Sequence, residues 1–274
     1  PAVWALAIAD RVADGPTLAV HALPRLQVVW RPSDALSVTA NAGRTVRPPD
    51  PDELYGDRGA FVGNPDLRPE DAWQADLGLH VARGPVAADV GVYWREVVDL
   101  IAFVVNAQQI ARPANLERAS IHGLDLGLSA SASGLTLTTA ATLLETVNRS
   151  QDPTYAGNAL PRLPTFELEV GATASRGPAQ LGYRGSYTAG NWLDAANYAL
   201  SPQRVFHTAF GRLAIGDGWK LTGEVRNLAN HIAAASPRDP LVDDGVVAVR
   251  AITDFTGYPL PGRAILLGVQ WSVP

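Results

Sequence analysis

Gly63-Asn64-Pro65-Asp66-Leu67-Arg68-Pro69-Glu70 is the stretch on which the fold of this chain turns. Its two X-Pro steps hold Asn64 and Arg68 out of the α region, so the backbone leaves the octapeptide extended. The residues that follow alternate. Trp73, Ala75, Leu77, Leu79 and Val81 fall on one side, and Gln74, Asp76, Gly78 and His80 on the other. A Pro- and Asp-rich loop thus empties into a long two-sided strand.

The same alternation recurs outward from this point. Val86, Ala88, Val90, Val92, Trp94 and Val98 oppose Ala87, Asp89, Gly91, Tyr93, Arg95 and Asp99. Phe166, Leu168, Val170, Ala172 and Ala174 oppose Thr165, Glu167, Glu169, Gly171 and Thr173, and Leu36, Val38, Ala40 and Ala42 oppose Ser37, Thr39, Asn41 and Gly43. About twelve strands are predicted, at 1–9, 17–31, 35–45, 70–82, 86–103, 116–131, 134–148, 164–175, 179–190, 204–215, 219–231 and 262–273. The segment 204–214 fits less cleanly, because His207 shares a face with Val205, Ala209 and Leu213.

Two kinds of connection take turns between these strands. Tight, turn-rich joins stand at 32–34, 83–85, 132–134, 176–178 and 216–218; long polar or Pro-rich loops are expected at 46–69, 104–115, 149–163, 190–203 and 231–261. Short turns on one rim and long loops on the other are the layout of outer-membrane barrels. Strands of 10–17 residues also exceed the usual five or six of soluble sheets. Trp30, Trp73, Trp94, Trp219 and Trp271 stand near strand ends, where an interfacial aromatic girdle would sit.

Composition bounds the alternatives. The chain has 274 residues, a net charge of -5, no Cys and no Met. Without Cys there are no disulfides, thiolate metal sites or thiol nucleophiles. Mild acidity with no basic cluster argues against nucleic acid, and Lys220 is the lone lysine. No apolar run reaches 18 residues, which excludes a membrane-spanning helix but not a spanning strand of about 9–11 residues. Opening at Pro1 with no Met, and with no export signal, the sequence is expected to be a piece of a longer gene product.

The octapeptide and its strand resemble the C-terminal barrel region of TonB-dependent outer-membrane receptors. Four further stretches resemble that family in order. They are Leu23 to Pro32; Arg44 to Tyr55; Asn115 to Leu126, with Ile121-His122-Gly123-Leu124-Asp125; and Val225-Arg226-Asn227-Leu228 with Tyr258 to Arg263. Ala229-Asn230 departs from the usual Phe-Asp, and the terminal Trp271-Ser272-Val273-Pro274 departs from the usual closing aromatic. The resemblance implies an all-β, antiparallel, up-and-down transmembrane β-barrel, with 1–274 as one partial barrel domain. About twelve strands would form the C-terminal half of a 22-stranded barrel whose plug domain and early strands lie elsewhere. It implies outer-membrane lipid, the remaining barrel and plug, and a TonB-type coupling protein as partners. Uptake of a scarce chelate, such as a ferric siderophore, haem or cobalamin, is the implied function. A self-contained twelve-stranded porin or autotransporter-type barrel, and a soluble β-rich binding protein, stay open as alternatives.

Catalytic chemistry finds no residue set. The five histidines are scattered, and there is no nucleophile elbow, phosphate loop or metal helix. Asp239, Asp243 and Asp244 with Asp50, Asp52 and Glu53 read as solvated loop acids before they read as a Ca²⁺ site. Neither metal nor cofactor is expected. For the transport reading, recognition would come from long loops on a rigid scaffold. Arg44, Arg47, Tyr55, Arg58 and Phe61 combine guanidinium forks with aromatic faces, suited to anionic, partly aromatic chelates. Tyr187, Asn191, Trp192 and Tyr198 form a second aromatic loop.

Overall fold

Residues 3–7, 10–14, 17–59, 61–105, 110–216, 218–238, 248–254 and 257–272 are described by the computed structural model. Asp239, Asp243, Asp244 and the Val273-Pro274 terminus lie outside the described residues.

In chain order the strands are β1 Val3–Ala7, β2 Asp10–Asp14, β3 Thr17–His21, β4 Arg25–Ser33, β5 Leu36–Arg47, β6 Glu70–Arg83, β7 Val86–Val105 and β8 Ala111–Ala132. They continue as β9 Leu135–Asn148, β10 Phe166–Arg176, β11 Ala179–Ala189, β12 Arg204–Gly216, β13 Trp219–Arg226, β14 Ala233–Ala235, β15 Val249–Ala251 and β16 Ala264–Trp271. Twelve of these pair antiparallel in one open sheet, ordered β1-β4-β5-β6-β7-β8-β9-β10-β11-β12-β13-β16. Apart from β1 with β4 and β13 with β16, every neighbour in the sheet is also the next strand in sequence. The up-and-down expectation holds.

Each tight join has a local cause. Arg83 pairs with Val86 and Arg176 with Ala179, leaving two-residue Gly-Pro loops. Gly84 and Gly177 take positive φ, and the proline that follows holds its own φ near -65°, which is the type II′ combination. At Ser133-Gly134 both central residues have positive φ, the type I′ combination. These turns match the right-handed twist of the strands they join, so they also fix register.

Length and surface agree on what the sheet is built to span. β10 and β11 have 11 residues each. At about 3.3 Å per residue they run roughly 36 Å, and a tilt near 40° leaves about 28 Å of height, enough for an apolar band of about 25 Å. Cross-strand partners put Leu77, Val92, Leu124 and Leu143 on one face. Among the described residues no second layer covers that face: Leu77, Leu181 and Leu267 are 50%, 68% and 86% exposed. Trp30, Trp73, Trp94, Trp219 and Trp271 are all exposed on the sheet, and the rings of Trp219 and Trp271 lie 6.2 Å apart.

His207, the misfit on the apolar face, finds a partner there. Its Nδ1 lies 2.6 Å from the hydroxyl of Tyr183, whose strand neighbour Gly185 leaves room opposite the imidazole. A polar group that would be costly facing hydrocarbon is thereby satisfied.

The opposite face is polar and holds three hollows, of about 590, 490 and 360 Å³, lined mainly by its own side chains. Polar residues there answer one another across strands: Asn41 donates to Asp76 at 2.6 Å, His80 meets Asp89 at 2.6 Å, and Thr142 donates to Asp125 at 2.7 Å. Two glycines on this face are covered by aromatic rings from the adjacent strand. Tyr93 lies over its cross-strand partner Gly123, and Phe210 over its partner Gly182, occupying the space a Cβ would need. Such covering restores to a glycine in a sheet the packing it lacks.

Three boundaries differ from expectation. The single strand expected at 17–31 is two, because residues 17–21 turn back onto β2 and the sheet strand begins only at Arg25, after Pro24. Proline cannot donate to a ladder, so the break falls there. The loop expected at 104–115 is mostly strand, since β7 and β8 extend their pairing to Val105 and Ala111. The strand expected at 219–231 stops at Arg226, where Asn227 takes a positive φ. Two loops carry structure of their own: helix α1, Pro51–Tyr55, and the β14–β15 hairpin.

Candidate functional site

The long-loop rim is organised by the octapeptide. β5 ends at Arg47, and Pro48-Pro49 lead into α1, where the Asp50 backbone N–H donates to the Glu53 carboxylate at 2.8 Å. α1 is closed by Gly56, whose Cα lies so near Asp52 and the Phe61 ring that no Cβ would fit. The octapeptide then fastens this loop to the lip of the β7–β8 hairpin. Asn64 donates to the Pro113 carbonyl at 3.0 Å and accepts from the Asp66 backbone N–H at 3.2 Å. The Arg68 backbone N–H donates to Asn115 Oδ1 at 2.9 Å, and Asn115 Nδ2 donates to the carbonyls of Arg68 and Asp99 at 2.9 and 2.7 Å. Asn115 of β8 thus ties the octapeptide to β7.

Glu70 is the centre of this latch. Its side chain is 6% exposed. It accepts from Arg47 at 2.8 Å and from the Ile101 backbone N–H at 2.9 Å, and Arg47 reaches Glu53 at 3.0 Å on its other side. A carboxylate can be buried here because a guanidinium and an amide together replace its water.

These contacts place the first group of candidate residues. Arg47 is committed to the latch. Arg44 pairs with Asp71 at 2.5 Å and, through the β5–β6 register, lies beside Trp73 on the apolar side of the sheet. Arg58 pairs with Asp52 in solvent, and Tyr55 is freely exposed. Phe61 packs on Phe103, ring centroids 5.4 Å apart. In the second group, Tyr187 packs on Phe166 at 5.8 Å, and register puts both beside Leu168 on the apolar face. Tyr198 is exposed, with its backbone held by Asp194. Asn191 is 3% exposed, and neither its Oδ1 nor its Nδ2 has a hydrogen-bond partner among the described residues.

What the tertiary structure adds is a bridge between the two groups. The Arg162 guanidinium stands 5.1 Å over Phe103, while its backbone N–H donates to the Trp192 carbonyl at 2.7 Å. Trp192 in turn lies 5.6 Å beneath the Arg238 guanidinium. Phe61, Phe103, Arg162, Trp192 and Arg238 therefore form one ridge of alternating aromatic and cationic character across the rim. Beside it opens a cleft of about 410 Å³, lined by Leu193, Leu200, Pro202, Ser236, Arg238 and Arg250. Phe103, Arg162 and Arg238 were not legible in sequence, because only long-range packing brings them next to Phe61 and Trp192. Such a ridge offers stacking faces and fixed positive charge, the chemistry of an anionic, unsaturated ligand.

Comparison with known proteins agrees with this architecture. A family model described as "TonB dependent receptor-like, beta-barrel" matches residues 10–228. Among solved structures the chain is similar to the copper transporter OprC, at 22% identity and a TM-score of 0.70, over 93% of this chain and 40% of that one. It is similar to the FrpB iron transporter from Neisseria meningitidis at 18% identity and a TM-score of 0.63, over 92% and 39% of the two chains. It is also similar to BauA, the ferric preacinetobactin receptor from Acinetobacter baumannii, at 17% identity and a TM-score of 0.62, over 92% and 36%. The chain therefore spans about two fifths of the length of these structures. Curated protein sequences give no match. With the family model covering most of its length, the chain belongs to the TonB-dependent receptor family, as part of the β-barrel domain.

Proposed function

We propose that this chain forms wall and outer ligand-binding rim of an energy-coupled receptor in a Gram-negative outer membrane. The complete receptor takes up a scarce chelate, such as a ferric siderophore, haem or cobalamin, and its role is transport without catalysis. Residues 1–274 act as one partial barrel domain, completed by further strands and a plug through which a TonB-type protein delivers energy. The observation that carries the reading is the ridge of Phe61, Phe103, Arg162, Trp192 and Arg238 on the long-loop rim of a sheet whose apolar face is uncovered among the described residues. Arg58, Tyr55 and Tyr198 flank the rim as exposed secondary contacts, while Arg44, Arg47 and Tyr187 serve through their internal partners. The titles of the similar structures, naming copper, iron and ferric preacinetobactin, support a metal-chelate cargo without selecting one.

Binding measurements on the complete receptor test the rim. With a panel of ferric siderophores, haem and cobalamin, Arg162→Ala and Trp192→Ala are each expected to weaken binding of the accepted cargo about tenfold, or roughly 1.4 kcal/mol. Unchanged affinity in both variants would remove the ridge from recognition. Asn191 sharpens the test. A buried amide without partners costs about 1–3 kcal/mol, so Asn191→Leu is expected to leave stability unchanged or raise it. Loss of cargo affinity in that stable variant would make the amide a ligand contact.

The membrane setting has its own test. Leu126 lies within the apolar face and Asp125, its neighbour, on the polar one. In lipid bilayers Leu126→Arg is expected to cost about 2–4 kcal/mol and Asp125→Arg much less. Equal costs for the two, read by urea unfolding in vesicles, would mean that hydrocarbon does not meet this face.

A further inference from the structure

The polar face of the sheet is divided by charge. Cross-strand register puts Asp76 on β6, Asp89 on β7, Asp125 on β8 and Glu167 and Glu169 on β10 together on it. The same register puts Arg184 on β11, Arg212 on β12 and Lys220 on β13 on that face. The acids are held in place by neutral neighbours, Asn41 on Asp76 and Thr142 on Asp125, with His80 alone against Asp89. Among the described residues Arg95, the cation of the acidic sector, turns to Glu70 at 3.9 Å, and Glu224, the acid of the basic sector, is taken by Arg226 at 2.7 Å. The sectors meet where Glu167 attracts Arg204 of β12. The hollows lean the same way: those of 360 and 490 Å³ contain Asp89, Asp76 and Asp125 with Arg95, and that of 590 Å³ contains Arg184 and Arg212 with Glu224.

Size decides what such a wall recognises. With strands about 4.8 Å apart, β6 to β13 extend over roughly 34 Å, so a small chelate could touch both sectors where β10 meets β11 but could not span them. A folded polypeptide surface can. Resting on the reading above that a plug domain fills the barrel, we propose that this bipolar wall sets the plug's rotational seating. A basic surface of that domain faces β6–β10 and an acidic surface faces β11–β13. The charges act as a key: turning the domain away from this position brings like charges together, which disfavours the wrong seating more than it strengthens the right one.

The test uses the complete receptor in detergent, with the plug probed by limited proteolysis and the barrel by heat-modifiable migration. The double reversals Arg184→Glu/Arg212→Glu and Asp125→Lys/Glu167→Lys are each expected to speed plug cleavage at least tenfold while the barrel still migrates as folded. Raising salt to about 1 M is expected to narrow the gap from wild type, because screening then acts within about 3 Å. The milder Arg184→Gln/Arg212→Gln pair serves if a reversal does not fold, with a smaller acceleration expected. Unchanged cleavage in variants with a folded barrel would overturn the proposal while leaving the receptor reading intact. A wild-type receptor that shows no protected fragment besides the barrel would overturn the receptor reading itself.

Discussion

Gly123→Val is expected to lower the stability of the folded barrel by about 3 kcal/mol, against the trend of strand propensity. Valine favours strands over glycine by roughly 1 kcal/mol, so a purely local argument expects a gain. The Tyr93 ring decides otherwise. It lies where the new side chain would have to go, and Tyr93 is the cross-strand partner of Gly123. Overpacking that forces a ring off its rotamer costs about 1–3 kcal/mol, sometimes more, and here the ring must leave a wall flanked by strands on both sides. Tyr93→Ala alone should cost less, about 1–2 kcal/mol, through lost ring-on-glycine packing. In the double variant the clash is gone, so the two changes should fall short of additivity by about 3 kcal/mol. Urea unfolding of the refolded barrel in detergent, followed by tryptophan fluorescence, measures all three. Additive effects, or a Gly123→Val barrel as stable as wild type, would show that the ring does not depend on the glycine.

Glu70→Ala should open the long-loop rim while leaving most of the sheet intact. The substitution strands a buried backbone N–H at Ile101, worth about 1–3 kcal/mol, and removes a charge-assisted bond to Arg47. Arg47 keeps Glu53 and is partly exposed, so its share is discounted, and the total comes to about 3 kcal/mol. Hydrogen exchange reads this directly: the Ile101 amide is expected to exchange about 100-fold faster. Glu70→Gln retains an acceptor oxygen for that amide and should cost only about 1 kcal/mol. If Ile101 exchanges equally fast in both variants, or in neither faster than wild type, Glu70 is not what holds the lip.

Much of this architecture was legible along the chain, and the reason is local. Alternation at 73–81, 86–94 and 166–174 needs only the two-residue period of a strand, and the turns at Gly84-Pro85, Ser133-Gly134 and Gly177-Pro178 need only backbone preferences of the residues within them. The octapeptide was recognisable for the same reason, since its two prolines dictate an extended exit. Its purpose was not. That Asn64, Arg68 and Glu70 grip Pro113, Asn115 and Ile101 depends on partners 30 to 50 residues away, and nothing in spacing announces them.

The candidate site shows the same division more sharply. Arg47 and Arg44 looked like ligand guanidiniums because arginine type and loop position are visible in sequence, whereas the carboxylates of Glu70 and Asp71 that engage them become neighbours only through the β5–β6 register. Tyr187 looked like a loop aromatic, yet it is a strand residue whose parity turns it to the apolar face. Sequence by itself determined a two-faced antiparallel sheet of twelve strands, because periodicity and turn chemistry are short-range properties. Tertiary structure alone decided which arginines remain free to meet a ligand, because pairing of charges is settled by register and loop packing across the rim.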